Sequence, residues 1–168
     1  MDLEIERKWF VRTLPDFQGL KPWHDERFYL YSDDQRSIRF QKREQIFELE
    51  RMDSISTLSR KQEKIIISEA EFEALQKIAK GPLARDSYLL QQQPQVTVKL
   101  YRGPFYGLIR AEVEFISEEQ AQKFIPLPWF AHEIEATCPL GRDSILVNLT
   151  AIEFAQLMVQ YQVPKLEY

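Results

Sequence analysis

The chain has little sulfur and little imidazole. Cys138 is its only cysteine, and His24 and His132 are its only histidines. A lone thiol cannot close an internal disulfide, which fits a reducing compartment. With so few cysteines and histidines there is no cluster of soft metal ligands. No apolar run approaches the roughly 18 residues of a membrane span, so no membrane partner is expected. The first residues lead straight into charged sequence, so no signal peptide is expected and a cytoplasmic location is. Internal repeats and low-complexity segments are absent. The net charge of −4 gives no reason to expect nucleic acid over the outer surface. The chain does have 44% hydrophobic and 29% charged residues, the composition of a folded domain. A length of 168 residues suits one domain, 1–168, with a sizeable core.

The charges are patterned. In Leu3-Glu4-Ile5-Glu6-Arg7-Lys8-Trp9-Phe10-Val11, Glu4, Glu6 and Lys8 alternate with apolar or long side chains. Successive side chains of a strand point to opposite faces, so two carboxylates and an ammonium share one face. Further strands are expected at Arg27–Tyr31, Ser37–Lys42, Ile46–Met52, Leu58–Ile67, Arg85–Leu90, Gln95–Arg102, Leu108–Phe115 and Phe130–Thr137. A capping box, Ser68 with Glu71, opens a helix whose stripe is Phe72, Leu75, Ile78 and Ala79, and Gly81-Pro82 ends it. Ser117 opens a second helix. Arg142–Leu149 reads as a third, and Thr150 with Glu153 caps a last one ending near Tyr161. Short connections imply antiparallel pairing. A closed barrel would gather the charged faces inside; a two-sheet sandwich is the alternative, with the charges solvated.

Arg110-Ala111-Glu112-Val113-Glu114-Phe115 repeats the alternation. Glu4, Glu6, Glu112 and Glu114 facing one cavity would repel unless a cation sat between them. Oxygen donors without histidine or cysteine point to a hard divalent ion, Mg²⁺ or Mn²⁺.

Glu4-x-Glu6-x-Lys8 and Ala111-Glu112-Val113-Glu114 resemble motifs of the CYTH family, also called triphosphate tunnel metalloenzymes. Ser37-Ile38-Arg39, Leu58-Ser59-Arg60, Tyr101-x-Gly103 with Gly107-Leu108, Pro128-Trp129 and Glu133-Ile134 follow in the family's order. The resemblance implies a mainly β fold, an eight-stranded antiparallel closed barrel with a few covering helices. It also implies a small triphosphate-containing ligand held in the tunnel with a divalent metal. A homodimer is one option for its assembly.

The departures are specific. Where the family has Arg-x-Arg on its third strand, this chain has Arg39-x-Gln41. Glu50 stands in place of a tunnel lysine, and Arg60-x-Gln62-x-Lys64 in place of Arg-x-Glu-x-Glu. Arg85-x-Ser87 replaces Lys-x-Arg, and Lys99 replaces an acid. The expected site therefore holds metal on Glu4, Glu6, Glu112 and Glu114. Phosphates are gripped by Lys8, Arg39, Arg60, Lys64, Arg85, Lys99 and Arg110, with Lys8 as the catalytic cation. Glu50 should pair with Arg39, or with Lys64 if the register allows. Trp9, Phe10 or Phe105 would be the base stackers available to a nucleotide substrate, but each reads first as core or rim packing. Metal-dependent triphosphate hydrolysis is the leading expectation. A noncatalytic binder or sensor of phosphate compounds on the same fold, nucleotide cyclisation, and an unrelated sandwich module are the others.

Overall fold

The computed structural model describes residues 2–168. Nine strands form one antiparallel sheet: β1 (Asp2–Val11), β2 (Trp23–Ser32), β3 (Arg36–Arg43), β4 (Ile46–Ser54), β5 (Ser59–Ile66), β6 (Lys80–Gln92), β7 (Gln95–Tyr101), β8 (Ile109–Glu114) and β9 (Phe130–Glu133). The lateral order is β5-β4-β3-β2-β6-β7-β8-β1-β9, and β5 also pairs with β1. That extra pairing closes eight strands into a barrel and excludes the sandwich. β1 meets β5 through Asp2–Ile5, β8 through Glu6–Phe10, and β9 through Trp9 and Val11. β5 and β9 therefore share one edge of β1 in succession.

The period-2 alternation sorts the barrel wall. Ile5, Trp9, Val11, Val96, Val98, Ile109, Ala111 and Val113 point outward into an apolar cluster under α2 (Glu118–Lys123) and the 124–130 segment. α1 (Glu69–Gln76) covers a second outer cluster by burying Phe72 against Phe28 and Phe40. The lumen side is charged over most of its length and turns apolar at one end. There Phe10, Leu83, Tyr101 and Leu108 pack against Leu140, Leu146 and Phe154. Those last three come from a 3-10 turn (Pro139–Gly141), α3 (Asp143–Leu146) and α4 (Ala151–Gln160), which together plug that end of the barrel.

Several expected boundaries shift. α1 stops at Gln76, capped by Lys77, and Gly81-Pro82 lies inside β6. Ile78 is therefore beyond the helix and exposed instead of on its buried stripe. Gly81 is needed by the strand. Its φ is +138°, and a Cβ there would meet the Arg27 carbonyl at 2.8 Å and the Phe28 ring at 2.9 Å. β2 begins at Trp23 instead of Arg27, β9 ends at Glu133 instead of Thr137, and the expected 142–149 helix is the single turn Asp143–Leu146. Trp9, Phe10 and Phe105 are buried in core clusters and present no face to a base.

Candidate active site

Strand register decides which charges meet. Glu4 on β1 sits opposite Arg60 on β5, Glu6 opposite Glu114 on β8, and Lys8 opposite Glu112. Like charges directly opposite each other on an antiparallel pair are destabilising, so Glu6 and Glu114 call for a cation. Carboxylate oxygens of Glu4, Glu6 and Glu114 lie within 4.8 Å of one another. Arg60 Nη2 donates to Glu4 Oε2 at 2.5 Å and to Glu6 Oε1 at 2.6 Å. Lys8 Nζ lies 3.0 Å from Glu6 Oε1 and donates to the Gly141 carbonyl at 2.9 Å. Burial pushes the Glu6 carboxyl up, but Lys8 and Arg60 outweigh it and bring it down to about 2. The Glu114 carboxyl shifts the other way, raised by burial and then by the charges of Glu4 and Glu6. Three converging carboxylates, one of them pushed up by its two neighbours, fit a hard divalent ion.

Glu112, expected as a fourth carboxylate, is not among the three that converge within 4.8 Å of one another. It faces the same cavity, but Lys99 Nζ and Arg110 Nη2 each lie 2.6 Å from one of its oxygens. Burial raises its pKa, but Lys99 and Arg110 overcome that and hold the carboxyl well below the ordinary range. The physical reason is the lysine at position 99. Lys99 stands opposite Arg110 on β7, so two cations flank the one acid. Burial, and next the charge of Arg85, push the Lys99 ammonium down to about 8.

Arg39, Glu50 and Lys64 are direct cross-strand neighbours on β3, β4 and β5. Arg39 Nε donates to Glu50 Oε2 at 2.6 Å, and Lys64 Nζ lies 3.4 Å from Glu50 Oε1. Glu50 therefore has both partners expected of it. Gln41 donates to Glu48 at 2.9 Å and to Glu50 at 3.0 Å, and its carbonyl accepts from Arg27. Gln41 thus links two acids to the one arginine of β2.

Glu4, Glu6, Lys8, Arg39, Arg60, Lys64, Arg85, Lys99, Arg110, Glu112 and Glu114 all line a single cavity of about 540 Å³. Arg27 and Asp143 line it too and were not among the expected residues. Arg27 has a sequence signal, the alternation Asp25-x-Arg27-x-Tyr29 on β2. Asp143 has none, because it opens the one-turn α3 and reaches the lumen only through docking of the plug.

This arrangement can do two things. It can hold a cation at one wall, and it can present a fan of guanidinium and ammonium groups to a polyanion. The inorganic triphosphatase of Nitrosomonas europaea is 35% identical over 135 residues, spanning 78% of this chain and 88% of that protein. The chain belongs to the inorganic triphosphatase family. A crystal structure of an inorganic triphosphatase matches with a TM-score of 0.62 at 26% identity, covering 89% of this chain and 97% of the other. A putative adenylate cyclase from Bacillus halodurans shares the fold, with a TM-score of 0.54 at 15% identity over 100% of this chain and 95% of its own. No family model matches the sequence. No helix among the described residues is long and apolar enough to cross a membrane.

Proposed function

We propose that this chain is a divergent CYTH-type enzyme, a single domain over residues 1–168, that hydrolyses inorganic tripolyphosphate or a similar triphosphate. The observation that carries the reading is the shared cavity. The acid triplet Glu4, Glu6 and Glu114 and the cations Lys8, Arg39, Arg60 and Arg85 line one space, in a chain homologous to an inorganic triphosphatase. The triplet would hold Mg²⁺ or Mn²⁺, which neutralises phosphate oxygens and their developing charge. Phosphoryl transfer asks the protein mainly for positioning and electrostatics, and the charged wall supplies both. Lys8, fixed between Glu6 and the Gly141 carbonyl, stabilises charge on the transferring group. Arg39, Arg60, Lys64, Arg85, Lys99 and Arg110 hold the remaining phosphate oxygens. The lone cysteine, Cys138, is buried and unpaired, in keeping with a cytoplasmic enzyme.

One observation favours a second reading. The Arg60 guanidinium already bridges Glu4 and Glu6, and Lys64 and Lys99 stand where the family has acids. A protein whose own cations satisfy its acids would bind the polyanion without turning it over. A phosphate-release screen over tripolyphosphate, ATP and thiamine triphosphate, with and without Mg²⁺ or Mn²⁺, separates the two. Metal-dependent release from tripolyphosphate is expected, and Lys8→Ala should abolish most of it. Tight tripolyphosphate binding with no release under either metal would establish the binder.

A further inference from the structure

The plug does more than close the barrel. Its 140–143 segment turns three oxygen acceptors toward the tunnel cations. The Gly141 carbonyl accepts from Lys8 Nζ at 2.9 Å, and the Leu140 carbonyl from Arg110 Nη1 at 3.3 Å. The third acceptor is the carboxylate of Asp143, and it is the most heavily engaged. Arg27 Nη1 and Arg85 Nη1 donate to its Oδ2 at 2.9 and 2.7 Å. The Tyr101 hydroxyl donates to Oδ1 at 2.6 Å, and Arg110 Nη1 lies 3.1 Å from the same oxygen. One buried carboxylate thus receives three guanidinium groups and a phenol. Burial raises its pKa, but Arg110, Arg85 and Arg27 overcome that and keep it ionised.

The arginines are not used up by this acid. Arg85 Nη2 and Arg110 Nε have no hydrogen-bond partner, and Arg85 Nε has only Asp25 Oδ2, 3.5 Å away, although both side chains are almost fully buried and line the cavity. Leaving a buried donor unmet is costly, so such groups ask for an explanation. Three guanidinium groups converging on one small anion are also more than a structural carboxylate requires. They match a phosphate, which offers more acceptor oxygens than a carboxylate and carries more charge. Past Asp143 the lumen is apolar, with Leu140, Leu146 and Phe10, and has nothing to hold a further anion.

We propose that Asp143 occupies the innermost phosphate position of the cavity. It stands in for the terminal phosphate of a longer chain and restricts the pocket to short polyphosphates. The inference rests on the reading of the cavity as a polyphosphate pocket and adds the residue that sets its length. Arg27 and Tyr101 are positioning residues in this scheme. They fix the Asp143 carboxylate, and with it the guanidinium groups of Arg85 and Arg110 that it holds.

The test is D143S beside D143N, with binding measured by calorimetric titration in EDTA. Serine vacates the position, whereas asparagine keeps its volume and loses its charge. D143S should raise affinity for tetrapolyphosphate relative to tripolyphosphate by about tenfold. D143N should leave that ratio near the wild-type value. Millimolar inorganic phosphate should also raise the melting temperature of D143S by several degrees more than that of wild type, because it refills the vacated place. An unchanged ratio in D143S, or an equal rise in D143N, overturns the inference. If D143S is too unstable to titrate, its thermal response decides alone: restored folding in phosphate but not in chloride supports the proposal, and no restoration overturns it. Neither readout needs turnover. A wild-type protein that released no phosphate would therefore sink the hydrolase reading and leave this one standing on its own measurement.

Discussion

Lys99 shows what a single exchanged charge does to this wall. Its ammonium lies 2.6 Å from Glu112 and engages that carboxylate apart from the Glu4, Glu6 and Glu114 triplet. Burial holds the ammonium at about 8, below its ordinary 10.5. Between those values the native state binds fewer protons than the unfolded one, so this group adds stability as pH rises through the window. Anion binding responds with the opposite sign, because the positive charge disappears as pH rises through about 8. Arg85, which also faces Lys99, stays charged throughout; despite burial, its guanidinium is held well above the ordinary range by Asp143 and other neighbours. Tripolyphosphate affinity should therefore drop between neutral pH and about pH 9, and Lys99→Met should be weaker at neutral pH and lack that drop. Titration calorimetry of both proteins across this range measures it. Period-2 alternation put Glu4, Glu6 and Lys8 on one face of β1 and Glu114 on the matching face of β8; that those faces line a lumen was legible only through the resemblance. The separate engagement of Glu112 was not legible, since it depends on which residue of β7 stands across from β8.

At the scale of elements, strands were easier to read than their ends. Alternation placed every barrel strand, and the Ser68–Glu71 capping box marked the start of α1 correctly, with hydrogen bonds of 2.6 and 3.2 Å. The stop of α1 was misread because Gly81-Pro82 looks like a helix terminator. In the fold its task is to let β6 approach the backbone of Arg27 at close range. Nothing local in the sequence announces that neighbour. α1 holds on through one aromatic side chain. Phe72 meets Phe28, Phe40 and Phe47 with ring centroids 5.6, 5.3 and 5.0 Å away. Phe72→Ala should cost about 3–5 kcal/mol in urea unfolding, the range for deleting a buried aromatic. Because α1 packs outside the wall, tripolyphosphate affinity of the folded fraction should remain unchanged; a large loss would show that the helix also shapes the lumen.

For the molecule as a whole, the wall is a balance of opposite charges that a ligand completes. Anything that binds the native barrel and not the unfolded chain stabilises it by mass action, about 2.7 kcal/mol at a hundred times its Kd. Mn²⁺ with tripolyphosphate should raise the melting temperature beyond the sum of their separate effects, since the metal relieves the acid triplet while the anion draws off Arg60. Glu6→Gln should remove most of the metal-dependent part; an undiminished shift would place the cation elsewhere. Barrel closure itself was an expectation the sequence could support only through resemblance, because the β5–β1 pairing joins residues far apart in the chain. That pairing bears on the order of events during synthesis. β1 leaves the ribosome before β5, β8 and β9, all of which it needs. It must wait with both edges bare, a condition in which strands recruit foreign chains. Alternating Glu4, Glu6 and Lys8 make it a poor template for such pairing, so the side chains that later face substrate first keep the nascent strand solitary.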